Sequence, residues 1–444
     1  MKALLLKYWD RVRSSFWFVP AIMACGAVAL ALSTVALDRT FAIGWLQRLG
    51  WSYSGAEGAS LLLSTVAGSM IAIAGTVFSM TLVALSLASS QLGPRLLRNF
   101  MRDTANQVVL GTFVATFLYC LLVLRTIRRA DEAAFVPHLS VNIGVLLAMV
   151  SIGVLIYFIH HVSVSIQADE VVARVGRELG DGIGRLFPSQ LGKPGSEVSK
   201  AAGEAELPFT FEREARPVGA LDDGYLQLID ANVLMALATE EDLLLRLECR
   251  PGHYLVKGQA LVMVWPGERL TETLVGRLND AFVFGNQRTA TQDVEFSFLQ
   301  LVEIALRALS PGINDPFTAI ACVDRVGSAL SRLAQREMPS PLRFDPDGRL
   351  RLVAPGSTFA GIVDTAFNQI RQSARSNPAV TIRMLDAIAQ VAGQMQDAQH
   401  AACLLRHADM IVRGARESVP EAEDLLAVEA HFLAAAQTLR RLHS

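Results

Sequence analysis

Charge is what the first 165 residues lack. No Asp, Glu, Lys or Arg lies between Arg13 and Asp38, between Glu57 and Arg95, or between Asp103 and Arg125, and residues 141–164 carry only His160 and His161. A bilayer's hydrocarbon core is about 30 Å thick and needs about 20 apolar helical residues to cross. Four such runs in series exclude an ordinary soluble domain and predict spans over about 16–37, 59–89, 107–124 and 141–164. The missing mid-span charges also weaken a proton-coupled or charge-relay transporter, which needs an ionisable group within the membrane. Cysteine is scarce too. The five, at 25, 120, 249, 322 and 403, are scattered and form no CxxC pair, which excludes a disulfide framework. Net charge is only -2, so nothing in the overall balance points to nucleic acid. Phosphate-loop, dinucleotide, nucleophile-elbow and HExxH motifs are all missing.

What is present is hydrophobic: 52% of 444 residues are apolar, with mean hydropathy +0.35. The basic start followed by an apolar run resembles a signal peptide, but the run is longer and more runs follow, so it reads as a retained first helix. Lys2, Lys7, Arg11 and Arg13 precede span one. Arg95, Arg98 and Arg102 fill the connection after span two, and Arg174, Arg177 and Arg185 follow span four. The positive-inside rule then puts both termini in the cytoplasm of a bacterial inner membrane, with Arg125, Arg128 and Arg129 opposing it.

Span two carries the clearest pattern. Thr65, Ser69, Ala72, Thr76, Ser79, Val83, Ser86 and Ser90 alternate at spacings of four and three, which aligns them on one helical stripe beside Gly68 and Gly75; Val77 and Leu82 lie on other faces. Small residues let helix backbones approach closely, and hydroxyls can bond across the contact. The stripe therefore reads as a packing seam or, sharper, as a pore lining made by several copies. Arg95, Arg98 and Arg102, interleaved with Leu96, Leu97 and Phe100, read as an interfacial helix touching lipid headgroups or as a charged pore mouth.

Beyond residue 165 the chain becomes amphipathic and charged. A helix and a Gly/Pro/Ser-rich linker occupy 166–207, a small α+β unit 208–266, and a mainly helical domain 267–444, with a hairpin at 342–353 around Asp345-Pro346-Asp347-Gly348. The fold expected is a mainly α membrane protein: a four-helix transmembrane half, then an α+β cytoplasmic half with a small β-rich unit and a helical bundle. On the helix expected over 291–309, Asp293, Gln300, Glu303 and Arg307 share one stripe. With Arg288, Asn314 and Asp315 they form the candidate polar site, because polar groups on so apolar a helix need partners. Asp315 before Pro316 also reads as a helix N-cap, and Gly312 as a positive-φ helix stop. His400, Cys403 and His407 are metal-ligand types, but along one helix they span about two turns, too far to converge on one ion. No metal and no cofactor is expected.

Three segments carry a family resemblance: FSMTLVALSLASSQLGPRLLRNFMRD (78–103), IHHVSVSIQ (159–167) and GNQRTATQDVEFSFLQLVEIALRALSPGINDPFTA (285–319). The chain resembles the bacterial predicted membrane proteins grouped as domain of unknown function 2254, over nearly its whole length. The resemblance implies a multi-span N-terminal half and a soluble C-terminal half, and brings no activity or catalytic residue. Two functions stay open: a homo-oligomeric channel or transport-like protein with a cytoplasmic regulatory domain, or a membrane-anchored enzyme or ligand sensor using the 285–319 motif. The partners expected are the lipid bilayer and further copies of the chain, with the small-molecule or ion ligand unassigned.

Overall fold

The computed structural model describes residues 17–40, 55–93, 104–128, 135–165, 167–187, 207–395 and 400–441. These fold as two compact units dividing after Glu170. The first holds α1 (Phe18–Thr40), α2 (Ala56–Leu92), α3 (Thr104–Leu124) and α4 (His138–Ser165), each with a stretch long and apolar enough to cross a bilayer.

Helix α3 packs against the other three. Its Phe113, Tyr119, Cys120 and Val123 are fully buried, against small residues that permit close approach: Ala27 and Ala31 of α1, Ala67 of α2, Gly144 of α4. A Cβ added at Gly144 would come within 3.0 Å of the Leu63 side chain. Polar groups inside this unit find one another. The Thr34 hydroxyl meets the Tyr119 phenol at 3.1 Å, Tyr119 donates to the Ser140 carbonyl at 3.0 Å, and Thr116 meets Ser151 at 3.1 Å. Asp38, near the end of α1, accepts the backbone N–H groups of Leu139 and Ser140 and the Ser140 hydroxyl. It thus caps α4 from a hundred residues away, where a carboxylate suits the exposed N–H groups and the positive end of the helix dipole.

The second unit contains nearly all of α5 (Ala168–Leu186), whose Val171, Val172, Val175, Leu179 and Ile183 are buried on one stripe. Next come α6 (Phe211–Glu214), β1 (Arg216–Gly219), β2 (Gly224–Ile229), α7 (Ala231–Glu240), β3 (Leu244–Leu247), β4 (Tyr254–Leu255), β5 (Ala260–Trp265), α8 (Glu272–Asn279) and β6 (Phe282–Gly285). After them run α9 (Val294–Ala308), α10 (Pro316–Ala334), the hairpin β7 (Leu342–Phe344) and β8 (Leu350–Val353), then α11 (Phe359–Ala374), α12 (Pro378–Ala392), α13 (Ala401–Ser418) and α14 (Ala422–Arg441).

The strands form two sheets, β1-β5-β3-β8-β7 and β4-β2-β6. Leu226, Leu234, Leu245, Leu261, Val262 and Leu278 belong to the core beneath them. The hairpin is not an isolated ornament: β8 pairs in parallel with β3 and so joins the sheet begun a hundred residues earlier. Its turn is held by Asp345, which accepts the N–H groups of Asp347 and Arg349 and the Arg351 guanidinium. Strand β6 lies between two expected helices, in the part of the chain that the sequence assigns to the mainly helical domain; its FVFG run is too short to show a period.

Candidate functional sites

In the membrane unit, the site question turns on which way α2 faces. Leu63, Ala67, Met70, Ala74 and Val77 are buried. Thr65, Ser69, Thr76, Ser79, Ser86 and Ser90 are exposed on the single chain. The hydroxyl stripe therefore points away from the helices of its own unit, and no heavy atom would lie within 4 Å of a Cβ added at Gly68 or Gly75. Several hydroxyls bond back along their own helix: Thr65 to the Leu61 carbonyl, Ser69 to Thr65, Thr76 to Ala72 and Ser90 to Leu87, at 2.8–3.2 Å. Such back-bonding lets a hydroxyl tolerate an apolar setting, since it needs no partner from water. Arg95, Arg98 and Arg102 lie outside the described residues.

In the second unit, the seven polar residues of the 285–319 motif are spread along α9, from Arg288 and Asp293 at its start, through Gln300, Glu303 and Arg307 on the helix, to Asn314 and Asp315 beyond its end, and the two ends lie about 20 Å apart at 1.5 Å per residue. At its start, Asp293 is the N-cap, accepting the Phe296 N–H at 3.1 Å, and it pairs with Arg288 at 2.7 Å. Burial raises the Asp293 carboxyl above its usual range, against the pull of Arg288. Beside it Glu295 takes Arg250 through two nitrogens, at 2.6 and 3.2 Å, and Arg250 also donates to the Ser357 hydroxyl at 2.7 Å and to His253 at 3.1 Å. Burial, then Arg250, lowers the His253 pKa, in keeping with a neutral ring that accepts this bond. Gly252, with φ +95°, lets the Arg250-Pro251-Gly252 turn approach Asp293; a side chain there would strike the carboxylate. Arg250, Glu295 and Ser357 escape sequence reasoning because they lie 45 and 107 residues apart, and His253 escapes with its neighbour Arg250. The only local hint is the Pro251-Gly252 turn.

Along α9, Gln300 is buried, and Glu303 and Arg307 stand 4.0 Å apart as an i,i+4 pair. At the far end the helix stops in the turn Ser310-Pro311-Gly312-Ile313-Asn314. The left-handed residue is Asn314, with φ +51°, and not Gly312 as its identity suggests. Asn is the side chain that most readily adopts this conformation after glycine. The Asp315 N–H then returns to the Ala308 carbonyl at 2.7 Å. The Asp315 carboxylate accepts the Thr318 N–H at 3.1 Å and its hydroxyl at 2.5 Å, capping α10 with Pro316 in its first turn. These bonds, the Thr318 hydroxyl foremost, hold the Asp315 pKa below the usual carboxylate range.

His400, Cys403 and His407 go three separate ways. His400 stacks on Phe359 with ring centres 4.3 Å apart, the Cys403 thiol donates to the His400 carbonyl, and the buried His407 meets Asp364 at 2.7 Å. Among the described residues no group of three or more His, Cys, Asp or Glu is placed to hold a metal ion.

Four helices long and apolar enough to cross a membrane, followed by an α+β unit with two sheets and a set of helices, define a polytopic membrane protein with a large α+β part. The chain belongs to the predicted membrane protein family DUF2254, whose model matches residues 13–390. It is 34% identical over 372 residues to an uncharacterized protein of Mycobacterium tuberculosis strain H37Rv, covering 82% of this chain and 69% of the relative. An uncharacterized protein of Mycobacterium bovis matches at the same identity and coverage. No solved structure matches the chain.

Proposed function

We propose that the protein is a homo-oligomeric, channel- or transport-like assembly of the bacterial inner membrane, with both termini and the soluble unit on the cytoplasmic side. The observation that carries this reading is the outward stripe of α2. Thr65, Ser69, Thr76, Ser79, Ser86 and Ser90, with Gly68, Ala72 and Gly75, offer small polar groups on a face that, among the described residues, no helix of the same unit covers. Lipid gains nothing from such a face, whereas a second copy gains close backbone approach and inter-helical hydrogen bonds. Several copies around an axis would line a path with hydroxyls. Arg95, Arg98 and Arg102 then stand at the cytoplasmic mouth or among the headgroups.

The test is reconstitution of the full chain in vesicles, with conductance and flux measured under voltage, tension and osmotic shock. Wild-type protein should conduct. Ser79→Leu and Ser86→Leu should lose conduction, while Leu82→Ile, on another exposed part of α2, should keep it. No conductance or flux under any of these conditions would contradict the proposal.

A further inference from the structure

The last helix of the second unit, α14, is anchored on one face and open on the other. Val428, Ala435, Ala436 and Leu439 are buried, and the helix packs against α12 and α13. Its flanks are pinned by His431, which meets Asp386 of α12 at 2.6 Å, and by Glu429, which accepts Arg416 of α13 at 2.7 Å. These contacts fix which way the helix is turned. On its far side Glu423, Leu426, Ala430, Leu433, Gln437 and Arg441 recur at spacings of three and four, one stripe, all exposed. Leu426 and Leu433 are each 58% exposed.

The stripe has an acid at its start, a base at its end and no charge between. Charges so placed suit the helix's own dipole. The dipole does not account for two exposed leucines around an uncharged centre, whereas a second α14 laid antiparallel does. Copies related by a two-fold axis contact isologously, residue i meeting j and j meeting i. An axis near residue 432 sets Glu423 against Arg440 and Arg441 of the other copy, Leu426 against Gln437, and Ala430 against Leu433, with every pair made twice. The helix edges agree as well. Glu423 and Arg441 are eighteen residues, or five turns of 3.6, apart, so they share one edge, and an antiparallel two-fold brings like edges together. A parallel copy would instead put Glu423 on Glu423 and Arg441 on Arg441.

We propose that α14 is a dimerisation surface, pairing antiparallel with α14 of a second copy of this chain. The pairing goes beyond the α2 reading: it rests on the second unit alone and holds whatever the α2 stripe meets. A contact one helix long, about 30 Å, buries less than a standard interface of about 1,600 Å² and would be weak between free proteins. Two chains held in one bilayer meet at a far higher effective concentration, where such a contact suffices.

The experiment is oxidative cross-linking of the full chain in native membranes, with Cys25 replaced by Ser. Leu433→Cys, close to the axis, stands about 3 Å along the helix from its copy and should form a covalent dimer. Gln437→Cys alone stands about 15 Å from its copy and should not, while Leu426→Cys combined with Gln437→Cys should. Glu423→Arg should cut the Leu433→Cys dimer by about threefold to tenfold, and adding Arg440→Glu and Arg441→Glu should restore it. All these side chains are exposed, so an unchanged melting temperature checks that the fold is intact. A Leu433→Cys dimer that persists where Ser79→Cys gives none would contradict the α2 reading and leave this one standing. No dimer from Leu433→Cys, equal dimer from Gln437→Cys alone, or no response to charge reversal would each overturn the proposal.

Discussion

The two units satisfy their polar groups by opposite means. In the membrane unit most hydroxyls bond to a carbonyl one turn back on the same helix, as Ser69 and Thr76 do, so each helix is nearly self-sufficient. In the α+β unit the decisive bonds cross long stretches of chain: Arg250 to Glu295, Arg250 to Ser357, Arg351 to Asp242. Self-sufficient helices can present an outer face to lipid or to another copy without an unsatisfied group. A fold tied by distant ion pairs gains specificity of arrangement, but fails when one partner is removed.

The largest effect should come from breaking such a tie. Glu295 is nearly buried and Arg250 is its ion-pair partner, so Arg250→Ala should destabilise the α+β unit by about 2–4 kcal/mol, somewhat less than for a fully buried pair. Denaturant unfolding of the full chain in detergent checks this, and the pair Arg250→Met with Glu295→Leu should recover much of the loss. A loss below 0.5 kcal/mol in the single variant would show that the network is ornamental.

The membrane unit should respond to bulk according to face. Gly144→Leu forces a side chain against Leu63 and Cys120 and should cost about 1–3 kcal/mol through overpacking. Ser79→Leu, on the outer face, should leave the melting temperature of the separated chain unchanged and alter only assembly. Equal thermal effects of the two would erase the inner and outer distinction on which the comparison rests.

A smaller effect is expected at the corner between α9 and α10. Asp315→Ala should cost about 0.5–2 kcal/mol, and Asp315→Asn should retain most of the stability, since the amide can still cap α10. The depressed pKa of Asp315 gives the cap a pH signature. A carboxylate whose folded pKa lies below its unfolded value stabilises at higher pH, and that contribution is lost as pH falls through the folded value. The cap is thus fully present at neutral pH and fades below about pH 4. Asp315→Asn should lack this acid-side loss in a stability–pH profile.

How far the sequence reveals the structure follows the same division. The four membrane helices are legible because charge must be absent across a fixed length. The Asp315 cap and the Asp345 hairpin are legible because their partners lie within four residues. Asp38 capping α4, β8 pairing with β3, and Arg250 reaching Glu295 are hidden, since nothing local marks the distant partner. The stripe on α2 falls between these cases. Periodicity gives its alignment, but which side it faces depends on where Leu63, Ala67 and Met70 pack. Asn314 in place of Gly312 as the left-handed residue shows that a turn is fixed by its whole hydrogen-bond pattern and not by its glycine alone.

The central claim is that the α2 stripe meets another copy of the chain. Oxidative cross-linking in native membranes tests it most directly, with Ser79→Cys introduced into a background where the exposed Cys25 is replaced by Ser. Ser79→Cys should give a covalent oligomer, while Leu146→Cys, on the exposed side of α4, should not. Absence of the oligomer from Ser79→Cys, or equal cross-linking from both positions, would contradict the account.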